Sequence, residues 1–264
     1  MRWLPVILVL AGAPAYAQDE PSFLERLFGT DTAESDTQQG SLLERLIEDS
    51  LSGAGRNVTV TGFRGALSGS ASLDSLTISD EDGTWLTLTD ATLDWRRAAL
   101  FGGRLEISEL TAQEILLPRL SAPAESDAPS PEARRFQLPE LPVSIEIGRI
   151  AVERVELGEP VIGVAAEMSL DGAFSLADGS GAADLAITRL DQPGAITLDA
   201  SFDNSTEDLR LDLEMIEDDG GILATVAGLP GAPSVDFRIQ GEGPLSEFTA
   251  DITLATDGTE RLAG

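Results

Sequence analysis

The chain has 264 residues, enough for one or two domains with a sizeable core, and carries 17 basic against 46 acidic side chains, a formal charge of −29. A field of that sign repels polyanions and argues against nucleic-acid binding. Cys, His and Lys are all absent, which removes thiolate, imidazole and Schiff-base chemistry, structural zinc and disulfides together.

The chain opens with Met1-Arg2, an apolar run from Leu4 to Ala13, and Ala15-Tyr16-Ala17, the pattern of an exported leader cut before Gln18. Residues 1–17 are therefore expected to be a signal peptide, with a retained signal anchor as the alternative. In residues 18–40, Phe23, Leu24, Leu27 and Phe28 share one helical face, and the polar, acidic stretch that follows reads as a flexible linker. Ser41 and Glu44 have the spacing of a capping box, so a second short helix is expected from there. Leu42, Leu43, Leu46, Ile47 and Leu51 form its apolar stripe, and Gly53 and Gly55 stop it. This helix is expected to lie against one end of an apolar sheet face.

After Gly55 the period changes to two. Val58 and Val60 alternate with polar residues, Gly62-Phe63-Arg64-Gly65 makes a turn, and Ala71-Leu73 and Leu76-Ile78 continue as strand. Asp80-Glu81-Asp82-Gly83 reads as a hairpin turn, followed by Leu86, Leu88, Leu93 and Trp95. The helix over 42–51, the Gly62–Gly65 turn, Leu76-Thr77-Ile78 with its acidic turn, Trp85-Leu86-Thr87-Leu88 and Leu93-Asp94-Trp95 together resemble the N-terminal region of TamB-type translocation and assembly proteins. Those proteins are relatives of the AsmA-like and chorein-type lipid-transfer proteins. The resemblance covers residues 41–117. It implies an elongated, curled β-sheet whose apolar interior shields phospholipid acyl chains or outer-membrane protein segments in the periplasm. It also implies a partner of the TamA or BamA outer-membrane barrel type, contacted through a far C-terminal region, which this chain is expected to lack.

From Arg104 onward apolar pairs recur every five residues: Leu105 and Ile107, Leu110 and Ala112, Ile115 and Leu117. The same grammar returns 40 residues later as Ile145 and Ile147, Ile150 and Val152, Val155 and Leu157. One face can hold all of these only if the strand bulges at the intervening polar pairs, Ser108-Glu109, Gln113-Glu114, Gly148-Arg149 and Glu153-Arg154. The Pro-, Ala- and Ser-rich stretch between the copies, within a loop over 120–136, reads as disordered. Further strands are expected at Val164–Leu170, Ala173–Leu176, Leu185–Leu190, Ile196–Phe202, Leu209–Met215, Ile222–Val226, Val235–Ile239 and Phe248–Leu254.

The fold class expected is mainly β: an antiparallel, taco-like curled sheet over 41–264 with one or two N-terminal helices, truncated where Gly258-Thr259-Glu260-Arg261 would lead into another strand. Each strand is apolar on one side, so the sheet has a single apolar face needing a cover. Its expected lining is Leu76, Ile78, Leu86, Leu88, Ile107, Leu110, Ile147, Ile150, Leu185, Ile187, Ile196, Leu198, Leu211 and Leu213, with Thr77, Thr87, Thr197 and Asp212 turned to water.

No residues point to a cofactor or to catalysis. The acidic clusters at Asp80–Asp82, Asp203–Asp208 and Glu217–Asp219 lack calcium-loop spacing and fall at turns. Gly62, Gly65 and Gly69 lie between strands and lead into no helix, so they read as turn residues and not as a phosphate loop. Trp85 and Trp95 read as core or rim aromatics. The expected role is a non-enzymatic conduit for phospholipid or outer-membrane protein between the two membranes. A secreted structural or adhesive β-solenoid is the alternative, and a carboxylate-dependent hydrolase the outsider.

Overall fold

The computed structural model describes residues 57–65, 69–100, 102–121, 136–139, 141 and 143–264. The expected leader over 1–17, the stretch 18–40, the helix bearing Leu42, Leu43, Leu46, Ile47 and Leu51, and most of the 120–136 loop lie outside the described residues. Twelve strands form one open, curled sheet in chain order. They are β1 (Asn57–Thr61), β2 (Ser70–Asp80), β3 (Gly83–Trp95), β4 (Arg104–Leu117), β5 (Ser144–Leu157) and β6 (Ala166–Ala177), then β7 (Ser180–Arg189), β8 (Gly194–Asp203), β9 (Asp208–Glu217), β10 (Val235–Pro244), β11 (Thr249–Thr256) and β12 (Thr259–Ala263). Short helices α1 (Arg97–Leu100), α2 (Glu159–Ile162) and α3 (Ile222–Val226) and a 3₁₀ turn (Leu245–Glu247) sit in the connections.

Local chemistry accounts for most of the turns. At the β2–β3 hairpin the Asp82 N–H donates to Asp80 Oδ1 at 3.0 Å, and Gly83 takes φ 104°, which a residue with a Cβ adopts poorly. The bulges expected from the five-residue rhythm occur at three of the four polar pairs. Gly148 and Arg149 together face one residue of β6, as do Glu153 and Arg154, and the β3–β4 register slips between Asp94 and Trp95 beside Ser108. At Gln113-Glu114 the register holds, because the facing strand bends with it: Asp90 adopts φ 46°. On the polar face Arg149 ties the first bulge to its neighbours, donating to Glu109 at 2.7 Å and Asp171 at 3.1 Å.

Eleven neighbouring pairs result, and all but one are antiparallel; β4 and β5 run parallel, and every pairing in their ladder joins residues 40 apart, such as Ile107 with Ile147 and Val155 with Ile115. The sequence repeat is thus the ladder itself. A parallel return needs a long crossover, which the Pro- and Ala-rich connection supplies. Three expectations are corrected. Ile222–Val226 is helix α3 and not a strand, because Gly220 and Gly221 break the chain after β9 and the side chain of Glu217 caps the next turn. Val164–Leu170 and Ala173–Leu176 belong to a single strand, β6, since Asp171-Gly172 continues the ladder. Thr259–Ala263, where the chain was expected to stop short of a strand, pairs with β11 as β12.

Two apolar clusters hold the first half of the sheet: Ala91, Ala112 and Val152 with Leu73, Leu88, Ile115, Ile150, Val155 and Leu170, and Trp85, Leu117 and Val161 with Ile78, Leu86, Leu157 and Ile162. Among the described residues no large apolar side chain is fully buried. No second layer covers this sheet among the described residues, and its apolar side is half in contact with solvent.

Candidate functional site

Residues directly opposite in a ladder share a face, so the apolar side can be followed strand by strand. One row runs through Leu73, Ala91, Ala112, Val152, Leu170, Ile187, Ile196, Met215, Phe237, Leu254 and Leu262, crossing from β2 to β12 without a polar side chain. Beside it runs Ala71, Leu93, Leu110, Ile150, Gly172, Leu185, Leu198, Leu213, Ile239 and Ile252. A third row is Trp95, Ile107, Ile147, Phe174, Ala183, Ala200, Leu211, Gly241 and Ala250. On the first strands two more rows follow: Val60, Leu76, Leu88, Ile115, Val155 and Met168, then Val58, Ile78 and Leu86. Packing of Leu88, Ile115 and Val155 onto the Ala91–Ala112–Val152 cluster keeps these rows on the same side, despite the bends between.

Every residue expected to line the face falls in one of these rows. Leu110, Ile150, Leu185, Leu198 and Leu213 share one of them; Ile187 and Ile196 are direct partners, as are Leu76 and Leu88, Ile78 and Leu86, and Ile107 and Ile147. Thr77, Thr87, Thr197 and Asp212 occupy the alternate positions, on the polar side. Of the row from Leu73 to Leu262 the expected lining took only Ile187 and Ile196. Its alanines carry little hydropathy, but Met215, Phe237 and Leu254 obey the same alternation and were legible by it. From β7 to β11 the floor is half-buried, and only residues near the strand ends, such as Phe202 and Val235, are shielded.

The rims are the strand ends. At one rim, Arg189 and Glu217 end their strands beneath α3, with side chains 2% and 0% exposed. Glu217 accepts the N–H groups of Ile222 and Leu223 at 3.0 and 2.8 Å, so a carboxylate five residues upstream caps the helix at its positive end. Arg189 reaches Glu217 at 3.4 Å and donates from Nε and a terminal nitrogen to Asp191 at 2.8 and 2.6 Å. That paired bond holds the Asp191 carboxyl below the usual carboxylate range, against an opposing effect of burial, and raises Arg189. Nearer the first strands α2 closes the same rim, Val161 packing onto Trp85 and Leu117.

At the other rim the crossover segment returns. Asn204 accepts the Leu138 N–H at 2.8 Å and donates to the Leu138 carbonyl at 2.9 Å, and the Phe136 ring meets Phe202 edge-on at 5.0 Å. A Cβ on Gly181 would come within 2.8 Å of Leu138, so the glycine leaves room for that side chain. Beside it, the Ser180 and Ser205 hydroxyls and the Ser205 and Thr206 N–H groups hold the Asp203 carboxyl well below its ordinary range. The acidic residues there serve the turn.

Among the described residues no group of three or more carboxylates converges as a metal site, and no helix is long and apolar enough to cross a membrane. What the arrangement offers is an apolar trough with polar rims. No curated protein and no solved structure gives a significant match to the chain. One family model, described as the intermembrane phospholipid transport protein YdbH, matches residues 38–263, which include all twelve strands. By that match the chain belongs to the YdbH-like family of intermembrane phospholipid transport proteins, within the broader AsmA-like and chorein-like group.

Proposed function

We propose that the protein is a non-enzymatic periplasmic carrier that shields phospholipid acyl chains along its trough as they pass between the inner and outer membranes. The observation that carries this reading is the continuity of the apolar floor, which runs unbroken from β2 to β12 and is left half-exposed. Ten strand spacings of about 4.8 Å make that floor roughly 50 Å long. It is longer than the about 30 Å hydrocarbon core of a bilayer, in which two tails meet end to end. An open floor of this extent exceeds the few hundred Å² of contiguous apolar surface that soluble monomers usually carry, so an occupant is required. Acyl chains fit because they need no directional bonds and can slide along rows that offer none.

Site-specific photo-crosslinking tests the reading in cells. Probes at Ile187, Leu198 and Leu211 should capture phospholipid, while probes at Thr197 and Asp212 on the opposite side should not. Equal labelling of both faces would sink the proposal, and capture of outer-membrane protein segments instead of lipid would reassign the cargo. On the resemblance of residues 41–117 to TamB-type proteins, a TamA- or BamA-type barrel is the proposed outer-membrane partner.

A further inference from the structure

We infer that the trough sorts phospholipids by headgroup charge: it takes lipids with a net-neutral, amine-bearing headgroup such as phosphoethanolamine and disfavours anionic ones such as phosphoglycerol. This rests on the carrier reading above and narrows its substrate. A phospholipid whose tails lie on the floor must leave its headgroup at a rim, because no polar partner exists along the apolar rows and an unpaired charge there would be costly. The rims are therefore where headgroups are read.

Their composition is one-sided. Turns at both ends of the strands carry exposed carboxylates, including Glu81, Asp82, Asp178, Asp218, Asp219 and Asp257. Counter-charge is scarce. The chain has neither Lys nor His, and among the described residues every arginine except Arg97 and Arg261 already forms an ion pair with a carboxylate. Arg261 donates to Thr256 Oγ1 at 2.8 Å, and Arg97 stands on the β3–β4 connection beside the paired Arg96. Arg189, the arginine on the apolar side of β7, is sealed between Asp191 and Glu217. A phosphodiester travelling along the rims thus finds almost no available guanidinium, whereas an ammonium finds carboxylates throughout. The formal charge of −29 adds a field of the same sign. Tail burial is the same for two lipids with identical acyl chains, so the difference between them is electrostatic.

The test is competitive loading of the full chain. Protein is incubated with vesicles of equimolar phosphatidylethanolamine and phosphatidylglycerol bearing the same tails, re-isolated, extracted and analysed by mass spectrometry. At about 0.02 M salt the ethanolamine lipid should be enriched at least about threefold, as a surface potential above one kT requires. At about 0.5 M salt, where screening acts within a few ångströms, the ratio should fall towards one. The variant E81Q/D82N/D218N/D219N should lower the low-salt ratio while thermal melting reports that it is folded; the salt series on the unaltered chain stands if it is not. Equal loading at low salt, or enrichment of the glycerol lipid, would overturn the inference and leave the carrier reading intact. Absence of both phospholipids would overturn the carrier reading and this inference with it.

Discussion

Arg189 and Glu217 are the most deeply placed charges in the described sheet, and each is fully committed. Removing the guanidinium would leave the Glu217 carboxylate buried with only the two helix N–H groups for compensation. Arg189→Met should therefore cost about 3 kcal/mol, read as a lower urea midpoint, whereas an exposed pair such as Arg210 with Asp199 should contribute no more than about 1 kcal/mol. Acid sensitivity follows from Asp191. Because its folded pKa lies below the ordinary Asp value of about 3.9, the stability it contributes is present above that value and is lost as pH falls through the folded pKa. Asp191→Asn should shrink the drop in melting temperature between about pH 5 and about pH 3.

At the scale of elements, the paired strands β4 and β5 show how one residue too many is used. Two-for-one bulges at polar pairs keep Ile147, Ile150, Val152 and Val155 on a single side and add bend where an unbulged strand would throw alternate sets to opposite faces. The far end of this pair is tight: a Cβ on Gly158 would lie 2.2 Å from the Pro118 carbonyl oxygen, whereas Gly163, at φ 86°, has open space around its Cβ position. Gly158→Ala should accordingly cost about 2 kcal/mol through displaced backbone. Gly163→Ala should cost about 1 kcal/mol through its left-handed conformation alone. Parallel thermal melts of the two variants separate steric from conformational cost. Unchanged melting of the Gly158 variant would mean that the end of β4 can move away freely.

For the molecule as a whole, the open floor separates stability from function. Leu198 and Leu213 are half-buried partners in mid-floor, and among the described residues no second layer lies above them. Leu198→Asn with Leu213→Asn should sharply reduce co-purifying phospholipid at a stability cost well below the 2–5 kcal/mol typical of a closed-core truncation, about 1.5 kcal/mol or less in total. A loss of folding comparable to a core deletion would show that the face is covered by protein.

Alternation in Leu209–Met215, the five-residue rhythm from Leu105 and its return 40 residues later determined, from sequence alone, a curled single-faced sheet and fourteen of the positions in its apolar rows. Period-two patterning is a local property, fixed by which neighbours must face away from water, so it can be read along the chain. Tertiary structure decided the rest. Whether β5 ran with or against β4 depended on the path of a long connection, and a short, mostly apolar run such as Ile222–Val226 suits strand or helix until Glu217 folds back to cap it. The bonds from Asn204 to Leu138, 66 positions apart, and from Arg189 to Glu217, 28 apart, join residues that no local pattern relates. Each depends on where the curl of the sheet brings distant strand ends, which is a property of the assembled rims and not of any segment.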